Sequence, residues 1–430
     1  RLATTQAGTE DPLVVSELIQ TSQIVAPVMV GNLMASWKGQ ETFTVHLLQA
    51  ADDHVGTPLG RRCLMASLTW IGNGFDFVPT WTSRTVEEVF GVRGSKVVDV
   101  YGMCTLQDHH DNVAGSGWDP MMIHGNCGIH PLLYFWGEVD KAIAVGNKIL
   151  TIMNEAERES SPTIDLQHGI AIALLPWSFH LIGENTLIFE WMKQLLGTFD
   201  NIVNVFMKKA EKWPLFAVRA HIDAGLADAG PALVFVEYLV GCAMTGWLLT
   251  CPKDSVVDPD AYLAKLPDPA EFLRLERVKR GDVSWCHVSA NEGSPLMWAA
   301  RANERFGFYE RGLTYTAMFE EFSDQSAKYA CGRGPILWYR SLSRSCAGRM
   351  LAQLGRTAEA AAKFEAAVDD ARVRHYVYLE ALAIQDWIKH VLEPAGRGAE
   401  GEAPLAAAME SLGIDRRGQV TELMASFSAL

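Results

Sequence analysis

"CAGRMLAQLGRTAEAAAKFEAAV" occupies residues 346–368, and its reading decides the fold. Alanine and charged residues make it a strong helix former, yet Gly348 and Gly355 interrupt it. A glycine inside a helix costs about 0.5–1 kcal/mol against alanine, so two of them need a reason. Spacing supplies it. Leu351 follows Gly348 on the same helical face, and Gly355 stands where the chain must reverse and needs a backbone that tolerates positive φ. Beyond "RT", Ala360, Phe364 and Ala367 follow at offsets of four and three, on one face of a second helix. Small Gly348, Ala360 and Ala367 let the helices approach, and Phe364 fills the space between them. The stretch predicts a helical hairpin.

Working outward, helical periodicity dominates. "VDKAIAVGNKILTIMNEAE" (139–157) and "LIFEWMKQLLGTFDNIVNVFMKKAEKW" (187–213) place apolar residues at spacings of three and four. Two-residue alternation bounded by hairpin turns is scarce. Breakers collect at "ADDHVGTPLG" (51–60), "CPKDSVVDPD" (251–260) and "EPAGRGAEGEAP" (393–404). The expected organisation is helical repeats over 1–250, a linker over 251–271, further helical repeats over 272–392, and a flexible loop with a short helical cap over 393–430.

The hairpin spacing resembles the tetratricopeptide repeat. Gly348, Leu351, Gly355, Ala360, Phe364 and Ala367 stand at the small, large, turn, small, aromatic and small positions of that family. Two positions depart from it: Arg344 replaces the favoured Trp, and Arg372 the favoured Pro. Trp338 and Tyr339 upstream are candidates for the missing aromatic packing. Weaker copies are visible at 127–150, with Leu133, Gly137 and Ala142, and at 173–196, with Phe179 and Gly183. Gly137 and Gly183 are 46 residues apart, and the 172 residues from Gly183 to Gly355 hold four units of about 43, longer than the basic repeat of about 34. The long unit is similar to the tetratricopeptide arrays that follow the ATPase module of class III adenylate-cyclase-like signalling proteins. The resemblance implies an all-α fold, an α-solenoid of stacked helical hairpins, and a protein–protein interaction scaffold. The catalytic modules of those proteins have no counterpart in this chain, so no catalytic residue carries over.

Composition narrows the function classes. The net charge is −14 over 430 residues, the sequence pI is about 5.3 and the mean hydropathy +0.05. A nucleic-acid reader needs a basic face; Arg340, Arg344 and Arg349 form a short basic stripe that reads as a solvated helix face. The acidic balance points instead to a basic protein segment as partner, or to a partner that covers apolar surface. None of the eight cysteines forms a CxxC pair and no Asn-x-Ser/Thr site occurs, which suits an intracellular, reducing compartment. The chain begins at Arg1 without Met and reads as a processed chain or a fragment, so the lack of a targeting segment carries no weight. "GPALVFVEYLVGCAMTGWLLTC" (230–251) has the length of a membrane span, but Gly241, Gly246 and Glu237 interrupt it, and a helix buried on all sides of an array reads the same way.

Phosphate-loop, nucleophile-elbow, HExxH and EF-hand motifs are missing. One polar cluster holds Cys104, Asp108, His109, His110, Asp111, His124, Cys127 and His130. Such residues can ligate zinc, but their spacing follows no zinc pattern, and the competing reading is a hydrogen-bonded loop. The thirteen Trp and fifteen Met read as filling between helix layers rather than as a pigment or lipid groove. The expectation is therefore a non-catalytic scaffold without cofactor or metal, probed against two alternatives: the regulatory region of a larger ATPase or cyclase, and a metal- or ligand-binding protein.

Overall fold

The structure is a computed structural model that describes residues 146, 147, 149–151, 153, 154, 162–181, 183–212, 230–266, 294–328, 336–373 and 376–411. These residues are mostly helical, and no strand occurs among them. In chain order the helices are α1 (Pro162–Leu181), α2 (Asn185–Leu196), α3 (Ile202–Ala210), α4 (Gly230–Thr250), α5 (Pro259–Leu263), α6 (Ser294–Arg305), α7 (Tyr309–Lys328), α8 (Ile336–Gln353), α9 (Thr357–Val373), α10 (Val377–Trp387) and α11 (Ala399–Ser411). A π-helical turn, Ile388–Leu392, extends α10.

Four helix pairs close on the same turn: α1–α2, α6–α7, α8–α9 and α10–α11. Gly183, Gly307, Gly355 and Gly396 take φ of 77°, 82°, 74° and 69°. Each glycine N–H donates to the carbonyl three residues back. The next N–H donates to the carbonyl five back: Glu184 to Phe179, Phe308 to Asn303, Arg356 to Leu351 and Arg397 to Leu392. This pair of hydrogen bonds satisfies carbonyls that the helix end leaves unpaired, and it needs a residue at ease with positive φ. Two of the turns share a further detail. Arg356 grips Glu359 through Nε (2.8 Å) and Nη2 (2.7 Å), and Arg397 grips Glu400 in the same way (2.7 and 2.6 Å). Gly307 and Gly396 had no place in the sequence reading. The first sits between two phenylalanines, and the second lies in the stretch read as a loop to residue 404. There α11 begins at Ala399 and takes Pro404 into its interior, forgoing one intrahelical bond.

From α6 to α11 each helix packs on the next in sequence, within the hairpins and between them, and α6, α8 and α10 also touch one another in a row. Upstream, α4 packs against α1, α2, α3 and α6. Residues 239–251 of this apolar stretch are buried in protein, and no helix among the described residues is long and apolar enough to cross a membrane. Gly246 explains how tightly α4 sits: a Cβ there would lie 2.5 Å from Cβ of Pro176 on α1. Within the expected linker, residues 251–266 hold a short 3-10 turn and α5. Lys265 bonds Asp200, and Arg311 bonds Asp260 at 2.7 Å.

The position of α1 differs from that of a helix in an open solenoid, which meets only its neighbours in the stack. Trp177 of α1 stacks on Trp298 of α6, with ring centroids 5.4 Å apart, and lies 6.0 Å from the ring of Tyr339 on α8. The hydroxyl of Tyr378 on α10 donates to the carbonyl of Leu181 at 3.1 Å. The C-terminal end of α1 thus touches α6, α8 and α10 through Trp177 and Leu181.

Candidate functional site

The hairpin α8–α9 brings its marked residues together. A Cβ on Gly348 would lie 2.8 Å from the Phe364 ring, so only glycine leaves room for that ring. Leu351, Ala360 and Phe364 are buried in one cluster with Val391 of the next hairpin. Leu313 of the preceding hairpin and Trp387 of the following one pack on the same cluster. Ala367 is buried, and its carbonyl accepts from the Ser341 hydroxyl at 2.9 Å. Phe179 is buried on α1 and Gly183 makes the α1–α2 turn. Leu133, Gly137, Ala142 and the polar cluster at 104–130 lie outside the described residues.

The two departures from the repeat pattern are bridges between helices. Arg344 bonds Asp370 on α9 and reaches Glu320 on α7 at 3.4 Å. Arg372 donates to Glu380 on α10 at 3.0 Å. Tyr339 meets Trp177 and, edge-on at 6.4 Å, Phe319. The expected basic stripe is not a solvated face: Arg340 and Arg344 pair with Asp370, and Arg349 is only 5% exposed.

Arg349 belongs to a buried ion network joining α6, α8 and α10. Its Nε donates to Glu304 at 2.6 Å and its Nη2 at 3.1 Å, while Nη1 bonds Asp386, which is fully buried. Arg301 also bonds Glu304, one turn away on α6. Burial pushes the Glu304 carboxyl upward, but the charges of Arg301 and Arg349 outweigh it and hold the group well below the ordinary carboxylate range. Burial would likewise weaken Arg349 as a cation, and Glu304 and Asp386 reverse that. The Cys346 thiol donates to Glu304 at 3.1 Å, and burial together with that carboxylate keeps its proton well above the usual thiol range. A thiol so held is no nucleophile.

Beside this network, Arg305 closes the C-terminal end of α4. It donates to the carbonyls of Leu248 and Cys251, the latter at 2.6 Å, placing a cation where the helix dipole is negative. His180 lies close to the same group. Its Nδ1 is 2.9 Å from Oδ1 of Asn185, and burial, then Arg301, push its pKa down to about 3. The imidazole is therefore neutral at ordinary pH and donates Nδ1–H to the amide oxygen.

Sequence reasoning missed Arg301, Glu304, Asp386 and the inward turn of Arg349. The available signal was a lone charge in an apolar helix, as in "CAGRML" and "ALAIQDWI", since an ion on an apolar face needs a partner. Chemically the network is balanced ion pairing. Among the described residues no group of three or more His, Cys, Asp or Glu could hold a metal ion. In comparisons with known proteins, no family model matches the chain and no curated protein matches it.

Proposed function

We propose that this chain is a helical-repeat scaffold, tetratricopeptide-like in its hairpins, that serves as a structural or assembly subunit of a larger protein complex. The observation that carries the reading is the turn repeated at Gly183, Gly307, Gly355 and Gly396. Between the last three of these, successive hairpins share one packed core around Phe364. Stacked units that bury their apolar faces on one another present a long side surface, suited to binding by shape.

The partner surface follows from what is already covered. The C-terminal end of α1 already meets α6, α8 and α10 through Trp177 and Leu181. α9 and α11 expose Glu365, Glu402 and Glu410, while the exposed Glu359 and Asp369 pair with Arg356 and Arg372. In a chain of net charge −14 this favours a basic segment on the partner. The test is the native mass of the assembly that holds this chain in its source extract, with cross-linking to map the contacts. An assembly of fixed stoichiometry, cross-linked through α9 or α11, supports the proposal. A lone chain, or contacts confined to other regions, removes it.

A further inference from the structure

We infer that His180 is an acid-sensitive latch: protonating it opens the joint between the α1–α2 hairpin and the α6–α8–α10 row before the hairpins themselves come apart. The inference is independent of the scaffold reading.

His180 stands in the last turn of α1, one residue before the carbonyl that Tyr378 binds and three after Trp177, whose ring is 5.8 Å away. It is fully buried and tied to Asn185 at the start of α2. It therefore sits where the first hairpin meets the row. Among the described residues the charged groups acting most strongly on it are Arg301, Arg305 and Glu304, all from α6. From α2 it meets the neutral amide of Asn185. From α10 comes the Tyr378 hydroxyl, whose proton is held firmly by burial and by Asp386.

Around this corner, among the described residues, three guanidiniums (Arg301, Arg305 and Arg349) face two carboxylates, Glu304 and Asp386. Arg305 is bound to carbonyl oxygens rather than to a carboxylate. A further cation at His180 would enter a site buried from bulk solvent, close to the Arg301 and Arg305 guanidiniums, where a charge is poorly screened. Opening the joint hydrates the ring and relieves the repulsion.

The direction with pH follows. In the opened joint the ring titrates near 6.5, and in the closed joint near 3. The opened form binds the extra proton first, so closure is complete above pH 6.5 and weakens as pH falls below it. Between pH 7.5 and 5.5 the opening equilibrium should rise about tenfold.

Hydrogen exchange of the full chain at both pH values, corrected for intrinsic exchange, reads this directly. The expected result is about tenfold more opening at 171–181 and 294–301, with α9 unchanged. His180→Gln, which carries no titrating proton, should abolish the response. An equal response in His180→Gln, no response in the wild-type chain, or the same acceleration in α9 each overturns the latch. Should His180→Gln fail to fold, His180→Phe replaces it, and the wild-type contrast between 171–181 and α9 still decides.

Discussion

The α8–α9 hairpin and the seat of α1 both bury aromatic rings, by different routes. In the hairpin, Phe364 fills the space left by Gly348 a short way back along the same chain. At α1, Trp177 reaches Trp298, and Leu181 accepts from Tyr378 across a separation of 197 residues. Short-range contacts close small loops and cost little chain entropy, whereas α1 must bring distant segments together before any contact is made. The hairpins are units that spacing can build alone. The seat of α1 is made by residues far apart in sequence, Trp298, Tyr339 and Tyr378.

The ion network sharpens this contrast most. Glu304→Ala leaves Arg301 and Arg349 buried without their shared carboxylate, and should cost about 3–5 kcal/mol in chemical denaturation of the full chain. Replacing Arg301, Glu304, Arg349 and Asp386 together by Met and Leu should come far closer to wild type, because no charge is then stranded. If the single and fourfold changes cost the same, the network is not acting as a paired set.

Within the hairpin, Phe364→Ala should cost about 3–5 kcal/mol by opening a cavity. Gly348→Val should cost about 1–3 kcal/mol by driving a side chain into the Phe364 ring. The two changes are coupled: in a double-mutant cycle the valine should be better tolerated once the ring is gone. Simple additivity would mean that Gly348 and Phe364 do not meet.

A smaller effect is expected at the turn. Gly355→Ala meets no atom within 4 Å, so only its positive φ opposes it, at about 1–2 kcal/mol. Gly307→Ala and Gly396→Ala should behave alike, and a spread among the three would break the equivalence of the turns. Smallest of all is Arg356→Ala. Its exposed pair with Glu359 should leave the unfolding midpoint where it was.

Much of the local structure was legible in the residues. Apolar spacing marked the helices, and Gly183 and Gly355 stand at turns because only a residue without Cβ takes that backbone cheaply. Gly307 was hidden by its phenylalanine neighbours, and Gly396 by the surrounding glycines and proline, which make any one of them a poor marker. The inward arginines were harder. Arg344 and Arg349 share one helix with Arg340, and periodicity alone cannot say which carboxylates wait on α6, α7, α9 and α10.

The sequence by itself determined where helices run, where glycine lets them reverse, and that Phe364 needs a small residue opposite. These are contacts between near neighbours, governed by helical period and backbone sterics. Only the tertiary structure decided that α1 touches α6, α8 and α10, that Arg349 turns inward to Glu304 and Asp386, and that His180 stays neutral among arginines. Those outcomes depend on which distant segments share a buried, poorly screened interior, and no local pattern encodes that.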